Sequence, residues 1–303
     1  VSPGSGGGSD DSSARGGRGG GAISLTIDGT LTLDGEISAD GESRSARYEG
    51  AGAGGAILAT VNTIAGSGAF HADGGYTSAD DTGGGGGGRI AVRYQTDGGF
   101  TGFAGSTASR GGDWWWGTDG TVAFFDTSGA NDILSVYQRF ELPSGLNTYG
   151  AIWLSEAAAM SVGTSSVLNV SGDLAVAGGS TFPLGGGSEL AVGGTLSISN
   201  SSTLLGQGLH TDAQVGGEWL GEGVTVHAGA MIVDSGSVIS VDGQGYEGGS
   251  RAEGKGPGAG EVGNYAAGGA GYGGAGGDDG SSSGGEPYGH AASPTRLGSG
   301  GGG

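Results

Sequence analysis

The 303-residue sequence has no cysteine, six prolines and a single lysine, Lys255. Without cysteine there is no disulfide, no thiolate metal site and no cysteine nucleophile, so a secreted chain must draw its rigidity from repetition. Lys and Arg total 11 against 31 Asp and Glu, for a net charge of −20. That surface repels phosphate and excludes nucleic acid as a partner. Acidic excess with almost no lysine is also the habit of proteins kept soluble in high salt, where self-repulsion is screened. No apolar run approaches the roughly 18 residues of a membrane helix, and no signal peptide is visible. The chain begins at Val1, as a processed protein or a piece of a longer one would. Helical periodicity is nearly missing as well; only residues 155–160 fit a single helical turn.

What the sequence has is glycine, 79 residues of it, against a usual share of about 7%. Such chains are normally disordered, because ordering glycine costs the most backbone entropy. Here the apolar residues fall in short period-2 runs, which disorder does not produce. The organising stretch is 80–94, DDTGGGGGGRIAVRY, where six glycines run into an alternating strand. Residues 19–41 (GGGAISLTIDGTLTLDGEISADG), 53–75 (AGGAILATVNTIAGSGAFHADGG) and 83–105 (GGGGGGRIAVRYQTDGGFTGFAG) share that layout. Each opens with glycines, starts a strand at Ile23, Ile57 or Ile90, turns, and makes a second strand through Ile37, Phe70 or Phe103. A degenerate fourth copy starts at Val122. A period of about 33 residues marks a unit that buries its apolar face only by stacking on neighbours. The stretches between read as polyproline-II-type layers packed on glycine faces, their amides bonding to neighbouring segments. Gly268, Gly271, Gly274, Gly277 and Gly280, at every third position, carry the same signature.

From 147 to 241 the texture changes to short strands, clearest at 166–170, 173–176, 189–192, 195–199, 224–228 and 238–241, separated by Gly, Ser and Asn turns. This spacing predicts a parallel β-solenoid with about three strands per coil, the alternative being a β-sandwich. The expected organisation is all-β: a glycine-rich N-terminal segment (1–21), glycine-rich strand repeats (22–146), a β-solenoid (147–242) and a glycine-rich C-terminal segment (243–303). The chain ends in GSGGGG and begins in the same texture, so copies meeting end to end would read continuously.

The runs at 19–41 and 83–94 resemble the glycine-rich repeats of large secreted bacterial and archaeal surface proteins. Residues 147–241 look like the β-solenoid stalks of adhesins, and the glycine bundles are similar to those of phage tail-fibre tip adhesins and springtail antifreeze proteins. These resemblances imply scaffold, adhesion or assembly, and no catalytic residues.

Motifs with chemistry are sparse. Residues 249–256, GSRAEGKG, approach a phosphate-binding loop, but Gly256 stands where a hydroxyl is needed and no buried strand leads in. Residues 280–284, GSSSG, fit a nucleophile elbow in letters only. His71, His210, His227 and His290 stand singly, without ligand spacing. The pairs Asp10–Asp11, Asp80–Asp81 and Asp278–Asp279 sit in Gly/Ser settings that suit calcium, against the plainer reading of solvated turns. Trp114, Trp115 and Trp116 cannot all enter one core, since neighbours on a strand face opposite ways, so they are candidates for a subunit or inter-segment interface or a sugar platform, against the plainer reading of a cap on the solenoid. Asn169 and Asn200 begin N-glycosylation sequons near expected turns. The expectation is a non-catalytic extracellular structural protein that self-assembles end to end into a surface fibre or sheath. A glycan- or cell-binding adhesin is the alternative, and a polysaccharide-degrading β-helix enzyme the third reading.

Overall fold

The computed structural model describes residues 1–10, 15–78, 82–112, 115–263 and 266–303. Among them there is no helix, and the strands form a large, curled, mostly parallel sheet of 16 strands with two small two-stranded sheets beside it. The antiparallel sandwich held as the alternative is not formed.

The repeats supply β1 (Ala22–Thr32), β2 (Glu36–Ser38), β3 (Ala56–Ala65), β4 (Ala69–His71), β5 (Arg89–Asp97) and β6 (Thr121–Asp126). β1, β3, β5 and β6 stack in parallel, and the register puts Ile23 beside Ile57, Ile57 beside Ile90, and Ile90 beside Val122. Side-chain links cross the same interval: Ser67 and Tyr76 donate their backbone N–H to Asp34 Oδ1 and Ser43 Oγ, each 33 residues earlier. β2 pairs β4 through Ile37 and Phe70. The expected third member fails. Phe103 lies in a turn, and the bridge to His71 is made by Thr107. Phe103 instead packs edge-on against Phe100 and Phe124, each 4.9 Å away between ring centroids. Burying an aromatic ring outweighs one more short ladder pair.

Among the described residues the connecting glycine stretches carry no strand, yet their hydrogen bonds repeat every third residue. Gly84 and Gly87 donate to Trp115 O and Thr118 O, both at 2.9 Å, while Gly85 and Gly88 donate to Gly75 O (3.0 Å) and Ala72 O (2.7 Å). On a third side the carbonyls of Gly83 and Gly86 accept from Ala51 (3.0 Å) and Gly54 (2.9 Å). One segment is therefore bonded to three neighbours, with none of these bonds internal. A Cβ at Gly84, Gly85, Gly87 or Gly88 would fall into neighbouring backbone, whereas Gly83 has nothing within 4 Å and Gly86 only an ordinary contact. Residues 1–21 join this bundle, Gly17 and Gly20 donating to Gly50 O (2.8 Å) and Ala53 O (2.9 Å). In the C-terminal stretch Gly268 and Gly271 abut the backbone of Ser283 and Gly285, but Gly274 and Gly277 are open and Gly280 turns at φ 86°, so the three-residue pattern stops there.

The rest of the sheet comprises β7 (Ile133–Val136), β8 (Arg139–Leu142), β9 (Leu146–Tyr149), β10 (Ala151–Leu154), β11 (Ala159–Val162), β12 (Val167–Val170), β13 (Leu174–Val176), β14 (Thr181–Leu184), β15 (Glu189–Ile198), β16 (Thr203–Gly206), β19 (Thr225–Val233) and β20 (Val238–Ser240), with a hairpin of β17 (Leu209–His210) and β18 (Gly221–Glu222) inserted. Three parallel ladders run side by side: Ile152, Leu174 and Leu196; Met160, Phe182 and Leu204; and Leu168 and Leu190. Each inward residue is buried. Successive rungs lie 22 residues apart, the offset at which Ser166 and Ser180 donate their N–H to Ser188 Oγ and Ser202 Oγ. These buried hydroxyls satisfy corner amides that would otherwise cost about 1–3 kcal/mol each. The stack begins earlier, with β7 and β8 upstream of 147, at shorter offsets: Leu134 lies beside Ile152 and Phe140 beside Met160. The helical turn expected at 155–160 is a left-handed corner at Glu156 and Ala157 (φ 58° and 56°), matched one rung on by Gly178 and Gly179 and again by Asn200 and Ser201.

β6 splices the two parts. It is parallel to β5 but antiparallel to β7. Its Val122 and Phe124 enter one core cluster, its Ala123 and Phe125 the other. Period-2 alternation in a strand buried on both faces explains the unbroken apolar run.

The three-residue pattern predicts a sharp positional contrast. Gly84→Ala or Gly87→Ala should destabilise by about 3 kcal/mol through overpacking against backbone, whereas Gly83→Ala should be neutral or stabilising by up to about 1 kcal/mol. Thermal melting of the single variants checks this; equal effects at the two kinds of position would contradict the packing described.

Candidate functional site

The aspartate pairs are placed apart. Asp10 is exposed, its N–H donating to Tyr48 O at 3.2 Å; Asp11, Asp80 and Asp81 lie outside the described residues, as does Trp114. Asp278 Oδ1 accepts from Gly284 N–H at 2.6 Å. Asp279 Oδ1 accepts from the N–H groups of Ser281 and Ser282, both at 2.7 Å, and from Ser281 Oγ at 3.0 Å. These carboxylates staple their own loop. Among the described residues no three His, Cys, Asp or Glu side chains converge as a metal centre would need.

Trp115 and Trp116 are 66% and 61% exposed, with Arg110 lying 4.7 Å over the Trp116 ring. Asn200 is exposed at a corner, whereas Asn169 lies within β12 rather than at a turn. Lys255 of the phosphate-loop-like run is held by Glu247 (2.7 Å) and Asp212 (2.9 Å), so a phosphate there would meet two carboxylates. Ser282 of GSSSG is buried, its hydroxyl donating to Val262 O at 3.1 Å. His71 Nδ1 lies 2.8 Å from Thr107 Oγ1, which donates to Asp73 Oδ2 at 2.9 Å. With the threonine proton on Asp73, His71 must itself donate, so this trio clips repeats together and is no base-activated nucleophile.

The surface that stands out is the open end of the stack. β19 pairs with β15 and β20 with β16, and among the described residues neither has a partner on its other edge. The register sets Met231 beside Leu196, Val233 beside Ile198 and Ile239 beside Leu204. In the inner rung these positions are at most 1% exposed; in the last rung they are 39–48% exposed. Ile232 and Val241 add to the same apolar end. At the opposite end β1 pairs with β3 alone among the described residues, leaving Ile23 exposed next to buried Ile57. β1 and β19 are long, at 11 and 9 residues, and both ladders shift register at a glycine-bearing step, near Gly29 in β1 and opposite Gly229 in β19. Sequence reasoning found the strands but not their exposure. Residues 224–228 and 238–241 read like any inner rung, and exposure depends on what lies beyond.

Several carboxylates are tuned by local donors. The N–H groups of Ser281 and Ser282 hold Asp279 below its ordinary value, the Ser237 hydroxyl and Asn200 N–H lower Asp234, the Lys255 ammonium lowers Asp212, and Arg18 N–H lowers Glu42. Depressed folded values mean the unfolded chain takes up protons first. Their stabilisation is complete above the ordinary range near pH 4 and is lost as pH falls through the lower folded values. In about 1 M salt, where repulsion is screened within about 3 Å, the melting temperature should be flat from pH 7 to about 4 and fall below it. A curve that stays flat or rises into stronger acid would contradict the assignment.

The chain matches no family model, and comparison with curated proteins and with solved structures likewise gives no match.

Proposed function

We propose that the chain is an extracellular structural building block that joins further copies of itself end to end, strand edge to strand edge, in a cell-surface fibre or sheath. Its second half is a three-sided parallel β-solenoid, the reading favoured by three ladders sharing one 22-residue offset. Its glycine stretches are polyproline-II-type layers, favoured by the three-residue hydrogen-bond period and the glycine-only inner faces.

The observation that carries the reading is the unfinished last rung. Met231, Val233 and Ile239 repeat a pattern buried one rung earlier and present it to solvent beside a row of unpaired backbone groups. Burying each such side chain contributes about 1.5–3 kcal/mol. An exposed, long, apolar edge is a template for a further strand unless it is blunted. β1 offers a counterpart of similar length with its own glycine step. The interface would be heterologous, so it propagates rather than closing on a two-fold. Nothing in this reading calls for a catalytic group.

Negative-stain electron microscopy with sedimentation of the purified chain tests it. The unaltered chain should form elongated particles that lengthen with concentration, and Met231→Lys combined with Ile239→Lys should leave single chains of unchanged melting temperature, since both sites are solvent-accessible in the isolated fold. Discrete single particles from the unaltered chain at every concentration would end the assembly reading, as would filaments from the double variant.

A further inference from the structure

A second built feature lies away from both stack ends. Between β16 and β19 the 22-residue offset lengthens to 35, the interval at which Ser202 N–H reaches Ser237 Oγ. The extra chain forms the β17–β18 hairpin, in which Leu209 pairs Glu222 and His210 pairs Gly221. The C-terminal segment comes back against this hairpin. Tyr246 N–H donates to Gly298 O at 2.8 Å, and Tyr288 is fixed by donating to the Leu297 carbonyl and accepting from Ser299 Oγ at 2.9 Å. Position 221 is glycine for a steric reason, because a Cβ there would stand 2.7 Å from the Tyr246 hydroxyl.

Hairpin and tail enclose a groove of about 650 Å³, within the range of about 300–1,000 Å³ typical of small-molecule sites. Its wall holds an aromatic cluster, with the Tyr246 ring 5.3 Å from His210 and 5.6 Å from Trp219, and Tyr288 beyond. Glu222 and Arg296 line the same groove with opposite charges. His210 Nδ1 is shielded from solvent and has no hydrogen-bond partner in the protein.

We propose that this groove binds a neutral oligosaccharide, with sugar faces against Trp219 and Tyr288 and hydroxyl edges bonded to Glu222 and Arg296. Flat aromatic walls with a few polar groups suit a ring that is apolar on its face and hydroxylated at its edge. One carboxylate against one guanidinium gives the groove no net sign, and the chain's charge of −20 disfavours anionic sugars and nucleic acid. The site is independent of end-to-end joining, since none of its residues lies on β1, β19 or β20.

The test is calorimetric titration of the intact chain with cellohexaose, chitohexaose, maltohexaose and mannohexaose, with adenosine as the non-sugar aromatic probe. At least one sugar should bind with quenching of tryptophan emission. Trp219→Ala should weaken it about tenfold or more, Trp219→Phe should hold affinity within a few-fold, and Trp115→Ala should have no effect. Glu222→Gln, at an exposed position the fold does not depend on, should also weaken binding and decides the matter if Trp219→Ala melts early. Failure of all four sugars at millimolar concentration, binding of adenosine in their place, or affinity unmoved by both Trp219→Ala and Glu222→Gln would overturn the proposal.

Discussion

The structure depends on backbone meeting backbone where no Cβ stands between. In the run 83–88 each glycine brings its N–H or carbonyl to a neighbouring segment at 2.7–3.0 Å, and three neighbours are served in turn. Glycine loses more conformational entropy on ordering than any other residue, and a hydrogen bond returns only about 0.5–1.5 kcal/mol net. A single such contact would not hold a glycine segment in place. The arrangement works because extended segments bond on several sides at once, so each added segment orders those already present. It also explains why the glycines occur in runs. A strand buries alternate side chains, whereas here two positions in three face backbone and must all be small.

This bundle sets the strands. The run of glycines leads straight into β5, as 53–55 lead into β3 and 19–21 into β1, so the position of each glycine segment fixes where its strand begins. The interval of 33 residues is the length of one circuit, seen again in Tyr94 O accepting from Thr127 Oγ1. Beyond β6 the interval shortens, reaching 22 residues in the ladders that run from β10 to β16. The transition needs an element that satisfies both stacks, and β6 does so by presenting Phe124 to one core and Phe125 to the other. Arg93 closes the seam, its guanidinium 4.4 Å over the Phe125 ring and 2.8 Å from Asp132.

The strand starts at Ile23, Ile57, Ile90 and Val122 were legible because alternation and glycine boundaries are local signals that stacking reinforces. The misreadings share a cause. Phe103 looked like a third partner for Ile37 and Phe70 by spacing, but an aromatic cluster could claim it. β11 and β16 went unread because the corners before them, Glu156–Ala157 and Asn200–Ser201, adopt left-handed backbone without the glycine that announces it. Their strain, about 1–3 kcal/mol per residue, is imposed by rungs on either side, which no local pattern reveals. The groove was illegible for a stronger reason. Trp219, Tyr246 and Tyr288 come from separate stretches, and only the return of the C-terminal segment brings them together.

A stack built this way has no inherent last member, because a rung is complete only when covered on both edges. The inner rungs show the covered state, with Leu196 and Ile198 fully buried; the outer rung shows Met231 and Val233 left open. Against joining stands a charge of −20 on every copy. Edge pairing acts over a few ångströms, while the repulsion reaches about 10 Å at 0.1 M salt and about 3 Å at 1 M. The two forces thus act at different ranges, and salt weakens only the longer one. An acidic surface with one lysine keeps copies apart in dilute medium, yet leaves the strand edges intact. In the proposed assembly ionic strength therefore sets whether the ends meet, and the apolar last rung with its unpaired amides sets how firmly they hold once they do.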